Sequence, residues 1–245
     1  VGQVAGVEAL AALGAVDFLM WVVTGISTGL TQGFSIQLSQ YYGAKDFENL
    51  RKSLAHSYRL TAFIAAGVLI LSQSFASLVL TGLHTPSNII GMSLLYLRII
   101  FCGIPATAAY NMFASALRAM GNSKTPLTAM IIASVLNVSL DILFVAGFGW
   151  GVAGAAIATV IAQSFSAVYC FLILRRIDIV HLTRADFMPA SGMNARLMKL
   201  GIPVVFQNII IGVGGLVVQY VINGYGFLFV AGFTATNKLY GLLEM

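Results

Sequence analysis

With 245 residues, 59% of them hydrophobic and 9% charged, and a mean hydropathy of +0.92, the chain has too little polar surface for a soluble protein of its length. It reads as an all-α polytopic membrane protein. The net charge of +5 is then a matter of topology, and no nucleic-acid partner is expected.

Seven stretches are long enough to span a bilayer, which takes about 20 mostly apolar residues at a rise of roughly 1.5 Å each. They are 9–38, 61–81, 89–119, 126–148, 152–174, 200–222 and 227–244. The first and third exceed the usual length, so they are expected to tilt or protrude.

In the first span Gly25, Gly29 and Gly33 recur every four residues, a pattern that admits a close helix neighbour. Gln32 and Gln37 lie nearby. Asp17, near the start of the span, either lines a cavity and attracts cationic substrates or sits solvated at the interface. The third span carries Arg98, which snorkels or faces the cavity, and the cavity candidates Tyr110 and Asn111. Lys238 poses the same question in the last span. Cys102 and Cys170 fall in different spans and read as packing residues. His56, His84 and His181 lie at or beyond span ends without metal-ligand spacing and read as solvated.

The fourth span carries the chemistry. Met130, Ser134, Asn137 and Asp141 are spaced by four, three and four residues, which stacks them on one helix face. A carboxylate in this position costs roughly 3 kcal/mol even on a lenient insertion scale, so the face should point away from lipid. Its protonation becomes sensitive to conformation. Alternatively, carboxylate and amide oxygens are hard ligands that can hold a small cation such as Na+.

The turn 147–151 is short, so the fifth span returns beside the fourth and Thr159 should meet Asp141 at similar depth. Gly154, Ala155 and Ala158 keep that helix slim. Gln163 is a further cavity candidate. The alternative is that Asn137, Asp141 and Thr159 only bind helices together by hydrogen bonds, which needs no ionisable group.

Lys45, Arg51, Lys52 and Arg59 follow the first span, Arg118 and Lys124 the third, and Arg175, Arg176, Arg184, Arg196 and Lys199 the fifth. The other connections carry no Lys or Arg. The positive-inside rule therefore places 41–59, 118–125 and 175–199 in the cytoplasm and Asp141 in the outer half of the membrane. Trp150 and Tyr225 at outer ends, and Tyr41 and Tyr42 at an inner end, fit an aromatic belt.

Gly6, Ala11, Ala15 and Leu19 match Gly226, Ala231, Ala235 and Leu239 at a constant offset of 220 residues. Both segments run from outside to inside, so a helix is expected to precede residue 1. The connection 175–199, broken by Pro189, Ser191 and Gly192, reads as a cytoplasmic linker between two lobes. Residues 1–174 would hold helices two to six of the first lobe, and 200–245 helices seven and eight of a second, in a protein of two six-helix lobes.

The stretches ALRAMGNSKTP, SVLNVSLDILF and GFGWGVAGAAIATVIAQ between Ala116 and Gln163 resemble the multidrug and toxic compound extrusion (MATE) family. So do the opening ALAALGAVD, the loop YYGAKD and the later LGIPVVFQN. The resemblance implies efflux of drugs or toxic metabolites by two rocking lobes in the plasma (inner) membrane, driven by H+ or Na+, with no other cofactor and a monomeric protein. It implies a first-lobe cation site at Asn137, Asp141, the Ala155 backbone and Thr159, with a further carboxylate on a first helix that this chain lacks. Met130, Ser134, Tyr110, Asn111, Gln163 and Asp17 would line the substrate cavity. No Asp or Glu occurs in 200–222, which weighs against a second-lobe carboxylate site.

Two other readings stay open. A lipid-linked oligosaccharide flippase of the same superfamily would need several basic groups in the cavity to hold pyrophosphate, and only Arg98 and Lys238 lie within spans. An intramembrane enzyme would need a nucleophile, base or metal cluster, and no His or Glu lies deep in a span.

Overall fold

The computed structural model describes residues 6–243, with side chains described to residue 237. Among these residues the chain is helical throughout, with no strand. The helices are α1 (Val7–Gly14), α2 (Asp17–Gly43), α3 (Phe47–Gly82), α4 (Ile90–Cys102), α5 (Ile104–Ala119), α6 (Lys124–Asp141), α7 (Gly151–Leu174), α8 (Met193–Asn223) and α9 (Phe227–Leu243). A π-helical segment, Ile142–Gly147, prolongs α6, and two 3-10 turns, Asp178–Val180 and Arg184–Phe187, occupy the connection before α8.

Five helical stretches are long and apolar enough to cross a membrane, and the bent pair α4–α5 makes a sixth. The first predicted span is interrupted by a turn at Ala15 and Val16, so that α1 and α2 form one broken crossing. The third predicted span does not simply tilt. It bends by 47° at Gly103, where Pro105 lacks the N–H that would bond Phe101.

The helix of the second span starts at Phe47, not 61, because local chemistry nucleates it earlier. The Asp46 carboxylate accepts from the Asn49 backbone N–H (3.1 Å) and from Asn49 Nδ2 (2.7 Å), the geometry of an N-cap. Lys52 Nζ then pairs with Glu48 one turn away. The Asn49 side-chain and backbone donors hold the Asp46 carboxyl below the usual aspartate range. A depressed value means that the cap's contribution is present above the unfolded-state value, about 3.9, and is lost as pH falls through the folded one. Asp46→Asn is expected to retain the cap and remove this acid dependence, checked by melting profiles between neutral and acid pH.

The glycine series of the first span packs as expected. Asn208 Nδ2 donates to Gly25 O (3.1 Å), and a Cβ on Gly29 would lie 2.8 Å from the Val205 nitrogen. A Cβ on Gly33 would collide with the Gly201 backbone. Helix α2 therefore lies backbone to backbone along α8.

At the opposite end from the basic connections, a Cβ on Gly14 would run into the Thr234 side chain. These two residues differ by the 220-residue repeat offset, and Ala11, Ala15 and Ala231 are buried around them. The repeated segments thus meet where they are equivalent.

Candidate functional site

Helix α6 opens after a glycine turn, Gly121 (φ +83°), and Asn122, just before its N-cap Ser123, accepts from the Thr125 N–H through Oδ1 at 3.1 Å. Its far end departs from α-helical geometry. After Asp141 the winding widens to π, with the Phe148 N–H bonding Leu143 O at 2.9 Å. Such widened turns recur at functional sites. Gly149 (φ +69°) and Gly151 (φ +53°) then reverse the chain into α7, and Gly154 lets α7 close on Phe144. Phe144, Phe148 and Trp150 cluster at this end with ring centroids 5.1 to 5.9 Å apart.

This hairpin brings the polar groups of α6 and α7 together. Asn137 Nδ2 donates to Thr159 Oγ1 (3.3 Å), and the Thr159 hydroxyl donates to Ala155 O (2.9 Å). Asn137, not Asp141, is thus the residue level with Thr159. Thr159 stands eight residues after Gly151 whereas Asp141 stands only six before Gly147, and the π segment advances less per residue than an α-helix; both move the match earlier on α6. Asp141 lies one turn beyond Asn137, with Oδ1 buried and accepting no hydrogen bond from the described residues. Amide, hydroxyl and carbonyl groups are therefore linked across the α6–α7 hairpin, with the carboxylate one turn farther along α6. Hard oxygen donors of this kind suit a proton or Na+. Among the described residues, no three of His, Cys, Asp and Glu assemble into a metal-binding group.

Beside them is a cavity of about 210 Å³ lined by Tyr110, Met130, Ala133, Ser134, Asn137, Thr159, Ala162, Gln163 and Ser166. Met130, Ser134, Tyr110 and Gln163 are thus brought to one place. Gln163 Oε1 is buried there without a donor among the described residues. Ser166 was legible in the sequence, standing seven residues after Thr159 on the same face of α7.

Other expected residues lie elsewhere. Asn111 does not line this cavity; its amide donates to Thr28 Oγ1 (3.0 Å) and ties α5 to α2. Asp17 lines a separate cavity of about 390 Å³ at the end opposite the basic connections, with Trp21, Thr24, Gln219, Thr234 and Asn237. Tyr96, buried on α4, lies within electrostatic reach of both Asp17 and Asp141, and no spacing in the sequence singles it out. Arg98 is exposed on the outer surface beside Gln73 and Ser74, away from the oxygen cluster. Cys102 is likewise exposed, accepting from Gln73 Nε2 (3.3 Å), whereas Cys170 is packed in the core. The Lys238 side chain lies outside the described residues.

His56 corrects the sequence reading. It is 2% exposed, with Nδ1 2.7 Å from Asn194 Oδ1 and Nε2 3.1 Å from Met188 O. It is buried because α3 extends well beyond its predicted start and the connection between α7 and α8 folds back over it. His84 and His181 are exposed as expected.

Comparison with known proteins agrees with this architecture. The chain is 31% identical over 245 residues to the probable multidrug resistance protein YpnP of Bacillus subtilis (strain 168), covering all of this chain and 55% of that protein. It is 24% identical over 227 residues to the multidrug export protein MepA of Staphylococcus saprophyticus, covering 91% of this chain and 50% of that one. The chain therefore spans about half the length of these relatives. An inward-facing structure of a multidrug resistance MATE family transporter of the MOP superfamily superposes with a TM-score of 0.91 at 23% identity, covering 98% of this chain and 55% of that one. An outward-facing structure superposes at 0.85, with 24% identity, covering 97% and 53%. The MatE family model matches residues 1–143, more than half of the 245, and the chain belongs to the MATE family.

Proposed function

We propose that the full-length protein carrying this sequence exports amphipathic, often cationic, organic molecules across the plasma membrane by alternating access, driven by inward flow of H+ or Na+. The observation that carries this reading is the chain Asn137–Thr159–Ala155 O, with Asn137 and Thr159 in the wall of a cavity between α5, α6 and α7 and the buried Asp141 carboxylate one turn beyond Asn137. An ionisable group at that depth is costly and is best accounted for by an ion pathway. Occupation of Asp141 by the cation would favour one of the two lobe arrangements, provided the ion binds that arrangement more tightly. The basic connections face the cytoplasm, and the protein acts as a monomer.

The relatives are named for drug resistance and export, which favours transport over an enzymatic role. The flippase reading is weaker still with Arg98 facing away from the cluster.

The coupling ion is separated by Thr159→Val, which keeps the side-chain shape but removes the hydroxyl oxygen. In vesicles carrying the full-length protein, Na+ coupling predicts an increase of about tenfold in the Na+ concentration for half-maximal transport, the effect of losing roughly 1.4 kcal/mol of ligation. Proton coupling predicts a near-normal response to a pH gradient. Transport indifferent to both gradients would overturn the cation-coupled reading.

A further inference from the structure

The connection between α7 and α8 is not a free tether. Arg59 Nη1 donates to Phe187 O (3.0 Å), and Arg51 Nε lies 3.9 Å from Asp186 Oδ1. Asp186 is itself 5% exposed and closes a capping box with Thr183, accepting from its N–H (2.7 Å) and hydroxyl (2.8 Å). Across Gly192, whose φ of +75° starts α8, Gln37 Nε2 donates to Met193 Sδ (3.2 Å). Val180, Met193 and Leu197 are buried in one cluster with Leu38, Leu50, Leu54 and Leu174.

His56 stands at the centre of these contacts. A buried imidazole is costly unless both ring nitrogens are partnered. Met188 O can only accept, so Nε2 donates to the connection, and Nδ1 of the neutral ring accepts from Asn194 on the first turn of α8 once that amide is turned to present its Nδ2 to the ring. One side chain of α3 therefore engages the chain on both sides of Gly192.

We infer that His56 is the positioning residue of a clasp that seats the connection and the first turns of α8 on α2 and α3. Residues 178–197 then move as one body with α2 and α3, and the connection is not a flexible spacer between lobes. The clasp restrains separation of the two helix sets at their basic ends, the cytoplasmic side by the positive-inside rule. That consequence for transport rests on the alternating-access reading; the seating itself does not.

The test is limited trypsin digestion of the full-length protein in lipid nanodiscs, followed at Arg184 and, as a control, at Lys124. Arg184 is exposed in the seated connection, so cleavage there reports local opening of its backbone. His56→Ala and Asn194→Ala should each speed cleavage after Arg184 about tenfold, the effect of losing one buried polar pairing, without changing cleavage after Lys124. The double variant should add little to the larger single effect, as expected of two residues sharing one contact. His56→Gln, whose amide can still donate to Met188 O, should recover part of the protection. Unchanged cleavage after Arg184 in both single variants, or an equal rise at Arg184 and Lys124, would overturn the clasp. None of these readouts needs transport, so loss of the efflux reading would leave them intact.

Discussion

Efflux of a cationic dye from drug-sensitive cells expressing the full-length protein is expected to fall to background when Asp141 is replaced by Asn. The substitution is nearly isosteric and removes only the ability to ionise. Asp141 closes α6 where the winding turns to π, and its buried Oδ1 accepts no hydrogen bond from the described residues. Its contribution to stability through hydrogen bonding should therefore be small. Asn in its place keeps the size and can still bridge helices, so folding and surface expression should persist.

What disappears is a group able to release a proton or balance a bound Na+. If the cation shifts the two lobe arrangements by the few kcal/mol typical of such couplings, losing it costs about two orders of magnitude in transport. Asn137→Ala should be milder, near tenfold, because Thr159 keeps its bond to Ala155 O. Efflux by the Asp141→Asn protein at the parental rate, at matched expression, would mean that the cluster only holds helices together.

The second large effect concerns the seam between α2 and α8. Gly33→Val places a branched side chain where even a Cβ would collide with the Gly201 backbone. The obstacle is main chain, so no rotamer change relieves it. The helices must separate or one must shift in register. Overpacking of this kind costs roughly 1–3 kcal/mol, and the upper end is expected here, corresponding to a fall in melting temperature of about 5 °C or more. Gly67→Val is the matched control, since a Cβ on Gly67 meets nothing within 4 Å. Thermal melts of both variants in detergent decide the matter. Equal stability of the two would mean that the seam is not tightly packed in the full-length protein.

The sequence carried much of the site because its signals are local. Met130, Ser134, Asn137 and Asp141 follow helical spacing, and the glycine-rich reversal at 147–151 commits the next helix to return beside them. Hydropathy located the spans for the same reason, although it missed the start of α3. Fourteen residues before the predicted start are helical because of the Asp46 cap and the burial of Leu50 and Leu54, not because lipid surrounds them. Asn111 looked like a cavity residue only because a polar group in a span must find some partner, and which partner it finds is a tertiary fact.

What the sequence determined alone is the membrane class, the approximate spans, and the choice of α6 and α7 as the bearers of the candidate site. Each follows from composition and period, which are properties of one helix at a time. The tertiary structure decided that Asn137 rather than Asp141 meets Thr159, partly because a π segment alters the advance along the helix. It decided that His56 is buried, because a connection that is polar by composition folds back and pairs both ring nitrogens. It also decided that the repeat meets itself at Gly14 and Thr234. Contacts between residues far apart in the chain depend on where whole helices cross, and no local period encodes that.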